Sequence, residues 1–274
     1  MKKSVIITGA SSGIGHECAL LLAKKGYLVF AGARSLDKLA TLEPFGIKTH
    51  YLDLDESATI KEFMNFVLSH TQKIDILINN AGYGSFGALE DVSIAEAKNQ
   101  FNTNVFGLMD ITKQVLPIMR KQNEGRIINV SSIAGKMYTI LGGWYYASKH
   151  SVEVLSDVLR NEVKNFNIKV IIIEPGGTKT NWEKVMAQHM LKSTPESSPY
   201  FKTAQSFTTF MTAMPLKLAT ANDIAQLILK AIEAKKPKKR YLNCFSDKLM
   251  IFAYTKLPLS LVDIVLTKMM KRFK

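Results

Sequence analysis

The sequence predicts a doubly wound α/β domain, a parallel seven-stranded sheet with helices on both faces. Three observations point there. Seven short β-branched runs, at residues 5–8, 28–33, 48–53, 74–79, 126–131, 169–174 and 240–244, alternate with helix-length segments at 14–25, 57–70, 105–121, 144–165 and 221–234. Strands joined by helical crossovers run parallel. Three runs, Val5-Ile6-Ile7, Ile76-Leu77-Ile78 and Val170-Ile171-Ile172-Ile173, are continuously apolar, as a strand covered on both faces requires. The first run ends in Thr8-Gly9-Ala10-Ser11-Ser12-Gly13-Ile14-Gly15 and passes straight into a helical pattern. With 274 residues, no internal repeat and no low-complexity linker, one domain accounts for the chain.

Taken in order, the strand ends carry the chemistry. Gly9 permits a tight turn, Gly13 lets a diphosphate approach the backbone, and Gly15 lets the helix pack close on the sheet. The helix start at Ser11, Ser12 and Ile14 offers free N–H groups and a positive dipole end to phosphates. The second run closes on Gly32-Ala33-Arg34-Ser35. A carboxylate there would accept from the ribose 2′-OH of NAD. Ala33 stands in its place and Arg34 follows, a cation whose fork suits a 2′-phosphate. Both features select NADP(H), and Asp37 reads as part of the next helix. Residues 176–215 break the strand–helix rhythm and hold Trp182, Met186, Met190, Tyr200, Phe201, Phe207, Phe210, Met211 and Met214. A segment this long predicts a lid over an apolar ligand, with plain core packing as the alternative. Residues 245–274 read as two short amphipathic helices flanking Pro258.

Composition narrows the classes further. Apolar residues make up 47% and charged residues 22%, a globular balance. The net charge is +13, and residues 235–274 hold eleven Lys/Arg against Asp247 and Asp263. That basic tail reads as a solvated face, a peripheral contact with an anionic membrane, or a dock for an acidic carrier protein. No nucleic-acid motif accompanies it, so no nucleic-acid partner is expected. Cys18 and Cys244 lie in no C-x-x-C or Cys/His cluster, which argues against a disulfide scaffold and a metal site. No apolar run reaches the ~18 residues of a membrane span, and the opening apolar run is too short for a signal core of ~7–15. A cytoplasmic location is the expectation.

Tyr145-Tyr146-Ala147-Ser148-Lys149 spells Y-x-x-x-K, a pattern that recurs by chance and gains weight from its company. Ser132 lies 13 residues upstream in Val130-Ser131-Ser132-Ile133-Ala134-Gly135. Asn79-Asn80-Ala81-Gly82, Asn104 in Asn102-Thr103-Asn104-Val105-Phe106-Gly107, and Pro175-Gly176-Gly177-Thr178-Lys179-Thr180 complete the set. With the T-G-x-x-x-G-I-G turn, these landmarks resemble the short-chain dehydrogenase/reductase family over residues 4–234. Lys239-Arg240-Tyr241-Leu242 and the helices after it resemble its hydroxysteroid- and retinol-dehydrogenase-like branch.

The resemblance implies a single-domain Rossmann fold. Residues 1–244 would form the NADP-binding catalytic domain, including segment 176–215, and residues 245–274 a basic helical extension. Lys149 would also grip the nicotinamide ribose, and Asn104 would anchor a water in a proton relay. Asp53 and Leu54 would line the adenine side. Asn80, Ala81, Gly82, Pro175, Gly176, Thr178 and Thr180 would complete the cofactor site. The family's habit of pairing through helices implies a homo-oligomer, dimer or tetramer.

The proton chemistry follows from the residues. Tyr145 and Lys149 are four apart and share a helix face. A phenol has pKa ≈ 10, and an adjacent ammonium lowers it toward working pH. Tyr145 then gives a proton to a carbonyl oxygen as hydride arrives, or takes one from an alcohol. Ser132 would hold the substrate oxygen, with Ser131 as the alternative; Tyr146 has the wrong spacing to Lys149. The expected substrate is a bulky apolar ketone, aldehyde or secondary alcohol. The alternatives are a 3-oxoacyl-thioester reductase and a non-catalytic NADP(H)-binding sensor or scaffold.

Overall fold

The structure, a computed structural model, describes residues 2–180, 182–213 and 218–271. The first half runs β1 (Ser4–Thr8), α1 (Gly13–Lys24), β2 (Leu28–Ala33), α2 (Leu36–Ala40), β3 (Lys48–Tyr51), α3 (Ser57–His70), β4 (Ile76–Asn79) and α4 (Ile94–Phe101). A π-helical turn, Asn102–Gly107, leads into α5 (Leu108–Gln122), then β5 (Gly125–Val130), α6 (Gly143–Glu162) and β6 (Ile168–Glu174). The remainder is β7 (Thr178–Lys179), α7 (Trp182–Ser193), α8 (Phe201–Ala213), β8 (Ala219–Thr220), α9 (Ala221–Glu233), β9 (Arg240–Leu242), α10 (Phe245–Lys256) and α11 (Leu259–Lys271).

Seven strands form one parallel sheet in the order β3-β2-β1-β4-β5-β6-β9, as expected. Side chains alternate across it with period two. Val5, Ile7, Ile78, Ile128, Ile171 and Ile173 pack with α1 and α9 through Cys18, Leu22, Ile224 and Ile228. Ile6, Leu77, Ile127 and Val170 pack on the other face with Ile60, Phe63, Ile111, Val115 and Leu159 of α3, α5 and α6. Each such buried aliphatic stabilises the fold by roughly 1.5–3 kcal/mol. The buried asparagines of β4 and β5 are paired: Asn79 Nδ2 donates to Thr112 Oγ1 and Asn129 Oδ1, and Asn129 Nδ2 donates to Ser156 Oγ.

The chain crosses the sheet between β1 and β4, and at such a switch point the strand ends open a crevice for ligands. The expected boundaries shift where edges are short: β3 stops at Tyr51 and β9 at Leu242. Segment 176–215 is not a loop, because it folds into β7, α7 and α8, and β7 pairs with β8. Met214, expected in that segment, lies outside the described residues, as does the side chain of Phe210.

Candidate active site

The glycine turn is tied to the neighbouring strand end. Thr8 Oγ1 accepts from the Asn80 and Ala81 amides, both at 3.0 Å, and Asn80 Nδ2 donates to Thr8 O and Gly9 O. Gly9 has φ +67°, and a Cβ there would lie 2.8 Å from Ala81 Cα. A Cβ on Gly15 would strike Gly9 O and the Asn80 amide. Helix starts need donors satisfied, and α9 shows the usual solution: Thr220 Oγ1 accepts from Asp223 N while Asp223 Oδ2 accepts from Thr220 N. By contrast, no side-chain bond from its N-cap Ser12 closes α1. Its amides, next to Gly13 at φ +58°, form a cradle that suits a diphosphate. Thr180 closes on this cradle, its methyl 3.7 Å from where a Gly13 Cβ would stand.

Arg34 and Asp53 meet at the ends of β2 and β3. The Arg34 side chain is 65% exposed, with Nη1 4.0 Å from Asp53 Oδ2, so its fork remains open to an incoming phosphate. Asp53 Oδ1 accepts from Asp55 N at 3.1 Å. Leu54 is buried against the π-helical turn, where a Cβ on Gly107 would strike Leu54 O.

The first turns of α6 carry Tyr145 and Lys149, both buried. Ser132 caps the 3-10 turn Ile133–Gly135, accepting from Ala134 N at 3.1 Å and donating to Pro175 O at 3.3 Å. Its hydroxyl is also in hydrogen-bonding reach of the Tyr145 phenol. Lys149 Nζ donates to Val130 O at 3.1 Å and lies 3.7 Å from where a Gly82 Cβ would be. Asn104 sits in the π-helical turn, a feature frequent at functional sites. Its Oδ1 accepts from Tyr83 N, and its Nδ2 donates to Tyr83 O and Ser148 Oγ, bracing the segment after Gly82 against α6. The structure therefore brings together Ser132, Tyr145, Lys149, Asn104, Gly82 and Pro175. Between the alternatives, Ser131 Oγ is buried away from these bonds, and the Tyr146 hydroxyl pairs with Thr139 Oγ1 at 2.7 Å.

Protonation departs from the expectation. Burial pushes the Tyr145 phenol up, the Ser132 hydrogen bond pulls it back, and Tyr146 adds a small rise. The expected lowering by the Lys149 ammonium is not what this structure shows. That ammonium points to Val130 O, and its own burial pulls it down to about 8, with Glu153 opposing.

An aromatic cluster covers Tyr145. Its ring lies 5.4 Å from Phe86 and 5.3 Å from Trp182, at the start of α7. Phe86 also meets Trp182 and Phe207 at 5.8 and 6.4 Å. Met186, Met190 and Ala204 are buried beneath them, so α7 and α8 form a lid of apolar side chains over the phenol.

The family model for short chain dehydrogenases matches residues 3–190. The chain belongs to the short-chain dehydrogenase/reductase family. It is 37% identical over 258 residues to the probable short-chain type dehydrogenase/reductase VdlC of Helicobacter pylori, covering 94% of each chain. It is 33% identical to human retinol dehydrogenase 8, over 87% of this chain and 80% of the relative. It is 40% identical to the 3-ketodihydrosphingosine reductase of Bacteroides thetaiotaomicron, over 65% of each. Among solved structures, a short-chain dehydrogenase from Streptomyces avermitilis superposes with a TM-score of 0.80 at 28% identity, covering 99% and 97% of the two chains. A family member from Burkholderia phymatum, in complex with NAD, gives 0.79 at 26% identity, covering 91% and 92%.

This short-chain dehydrogenase/reductase also holds groups that sequence reasoning missed. The buried carboxylates Glu153 and Glu174 form an ionic cluster with the partly exposed Lys136 and Arg240, one turn of α6 from Lys149. The signal available was Glu153 at four residues beyond Lys149, on one helix face. Phe86 gave no signal, since nothing in its local sequence marks it as the centre of the aromatic cluster.

Proposed function

We propose that the protein is an NADP(H)-dependent oxidoreductase acting on a bulky apolar ketone or aldehyde, or the matching secondary alcohol, with Tyr145 as general acid/base. The observation that carries this reading is Tyr145 lying beneath the apolar lid of Phe86, Trp182 and Phe207, on the α6 face it shares with Lys149 and with Ser132 acting on its phenol. Bound, the nicotinamide would supply or accept hydride. The cradle at Gly9, Ser11, Ser12, Gly13, Ile14 and Gly15 would take the diphosphate, and Arg34 the 2′-phosphate. Asp53, Leu54, Asn80, Ala81, Gly82, Pro175, Gly176, Thr178 and Thr180 would line the rest, with Lys149 on the ribose. Burial holds Tyr145 as the neutral phenol, the form that gives a proton to a carbonyl oxygen, while Ser132 steadies that oxygen. Two relatives carry the lipids retinol and 3-ketodihydrosphingosine in their names, which supports a lipophilic substrate.

NADPH absorbance followed against steroids, retinoids, long-chain aldehydes and oxoacyl thioesters tests the activity. Tyr145→Phe should abolish turnover and keep NADPH affinity; a variant that still turns over removes Tyr145 from the mechanism. A parent protein that binds NADPH but reduces nothing in the panel would be the sensor or scaffold instead.

We assign residues 1–244 to the catalytic domain and 245–274 to an extension that rests on an anionic membrane from the cytoplasmic side. Phe245, Leu249, Phe252, Leu259, Ile264 and Val265 are exposed on α10 and α11 among Lys248, Lys256 and Lys268. Among the described residues no helix is long and apolar enough to cross a membrane. Co-sedimentation with anionic vesicles, lost at high salt or on removing residues 245–274, is the expected result; equal binding to neutral vesicles speaks against it. Exposed Phe106, Val154 and Val158 around α5 and α6 support pairing of copies through these helices, measurable by sedimentation.

A further inference from the structure

One turn beyond Lys149 on α6 lies Glu153, 2% exposed. Its Oε2 is ion-paired with Lys136 Nζ at 2.9 Å and accepts from Arg240 Nε at 3.1 Å. Arg240 also donates to Asp157 Oδ2 at 2.6 Å and approaches Glu174 Oε1 at 3.2 Å, at an angle that makes no hydrogen bond. Among the described residues, Glu153 Oε1 and Glu174 Oε1 are both buried with no donor. The two carboxyls meet at one guanidinium nitrogen, Arg240 Nε, 3.1 Å from Glu153 Oε2 and 3.2 Å from Glu174 Oε1. Two neighbouring buried carboxyls each with an orphan acceptor are costly, and one proton shared between them relieves both. The cluster is packed tightly on the Lys149 turn: a Cβ on Gly135 would lie 2.7 Å from Glu153 Cγ, 2.9 Å from Ser131 Oγ and 3.1 Å from Lys149 O.

We propose that Glu153 and Glu174 hold one proton between them, and that Glu153 is a positioning residue that keeps Lys149 charged. The second half rests on the role given to Lys149 under the proposed function. The charged groups facing the pair are Lys149, Asp157 and, through Asp157, Arg160 on α6; Lys136 after β5; and Arg240 on β9. Burial and the Glu153 charge push Glu174 up, against Arg240 and Lys136. Burial alone pulls Lys149 down, and Glu153 opposes it. As pH rises, Glu174 releases its proton to solvent and the pair gains one negative charge, while the Glu153 charge goes on opposing the loss of the Lys149 ammonium.

Two measurements on the full chain need no substrate. Infrared difference spectra between about pH 6 and about pH 9 should show a protonated carboxyl that disappears on raising pH and is missing in Glu174→Gln. Lysine NMR, with Lys149 assigned by its loss in Lys149→Met, should show its midpoint about one pH unit lower in Glu153→Gln. Glu153→Asp, which keeps the carboxylate, should return it toward the parent value and covers the case of a Gln variant that does not fold. No carboxyl band dependent on Glu174, or a Lys149 midpoint indifferent to Glu153→Gln, overturns the proposal. In the enzyme, the alkaline limb of the pH–rate profile should move with the NMR midpoint. A midpoint that moves while that limb does not would instead count against the role given to Lys149.

Discussion

Lys149→Met is expected to stabilise the fold at neutral pH while removing activity. Burial lowers the ammonium from 10.5 to about 8. At about 1.4 kcal/mol per tenfold, the charged form costs the folded chain about 3 kcal/mol at pH 7. The sign follows from proton counts. Between about pH 8 and 10.5 the unfolded chain binds more protons at this site than the folded one, so this site's contribution to stability rises with pH across that window and is lowest below it. Methionine keeps most of the volume of the lysine stem. Val130 O loses its donor, a cost of about 1 kcal/mol. Glu153 keeps Lys136 and Arg240 and is not stranded. The net gain is about 2 kcal/mol, or roughly 4–8 °C in Tm for a domain of this size. Urea unfolding of parent and variant from neutral pH to above the window measures it, and the gain should shrink with pH and turn into a deficit of about 1 kcal/mol at the alkaline end, where only the lost hydrogen bond remains. A variant less stable than the parent at pH 7, or a gap that ignores pH, refutes the reasoning.

Gly15→Ala would drive a methyl into Gly9 O and the Asn80 amide, so about 2–3 kcal/mol of stability and most NADPH affinity should be lost, read by urea melts and NADPH fluorescence titration. Arg34→Ala should reduce the preference for NADPH over NADH by about tenfold in Kd, leaving NADH binding unchanged; a parent that binds both equally contradicts the cofactor assignment. Trp182→Ala opens the lid beside Tyr145 and should raise KM for apolar substrates with little change in NADPH affinity.

The strands were legible because buried β-branched runs leave little choice of state: β2 and α3 fall on the expected residues, and β1 and β6 within one. α7 and α8 were not, since an apolar, Met-rich stretch reads equally as a loop lying on a core or as helices. The π-helical turn around Asn104 is invisible to periodicity. Tyr145 and Lys149 are both buried on α6, four residues apart, yet the direction in which the Tyr145 pKa moves depends on burial, which no local motif encodes. Glu153, Glu174 and Arg240 come from α6, β6 and β9 and meet only because β6 pairs with β9.

The chain has two tryptophans, Trp144 and Trp182. One precedes Tyr145 in sequence and packs edge-on to Phe101; the other lies with its ring centroid 5.3 Å from that of Tyr145. Trp182 thus sits against the Tyr145 phenol while Trp144 packs into a separate cluster on the other side of α6, so the emission of one indole is a built-in optical gauge of what enters the cleft, with no label attached.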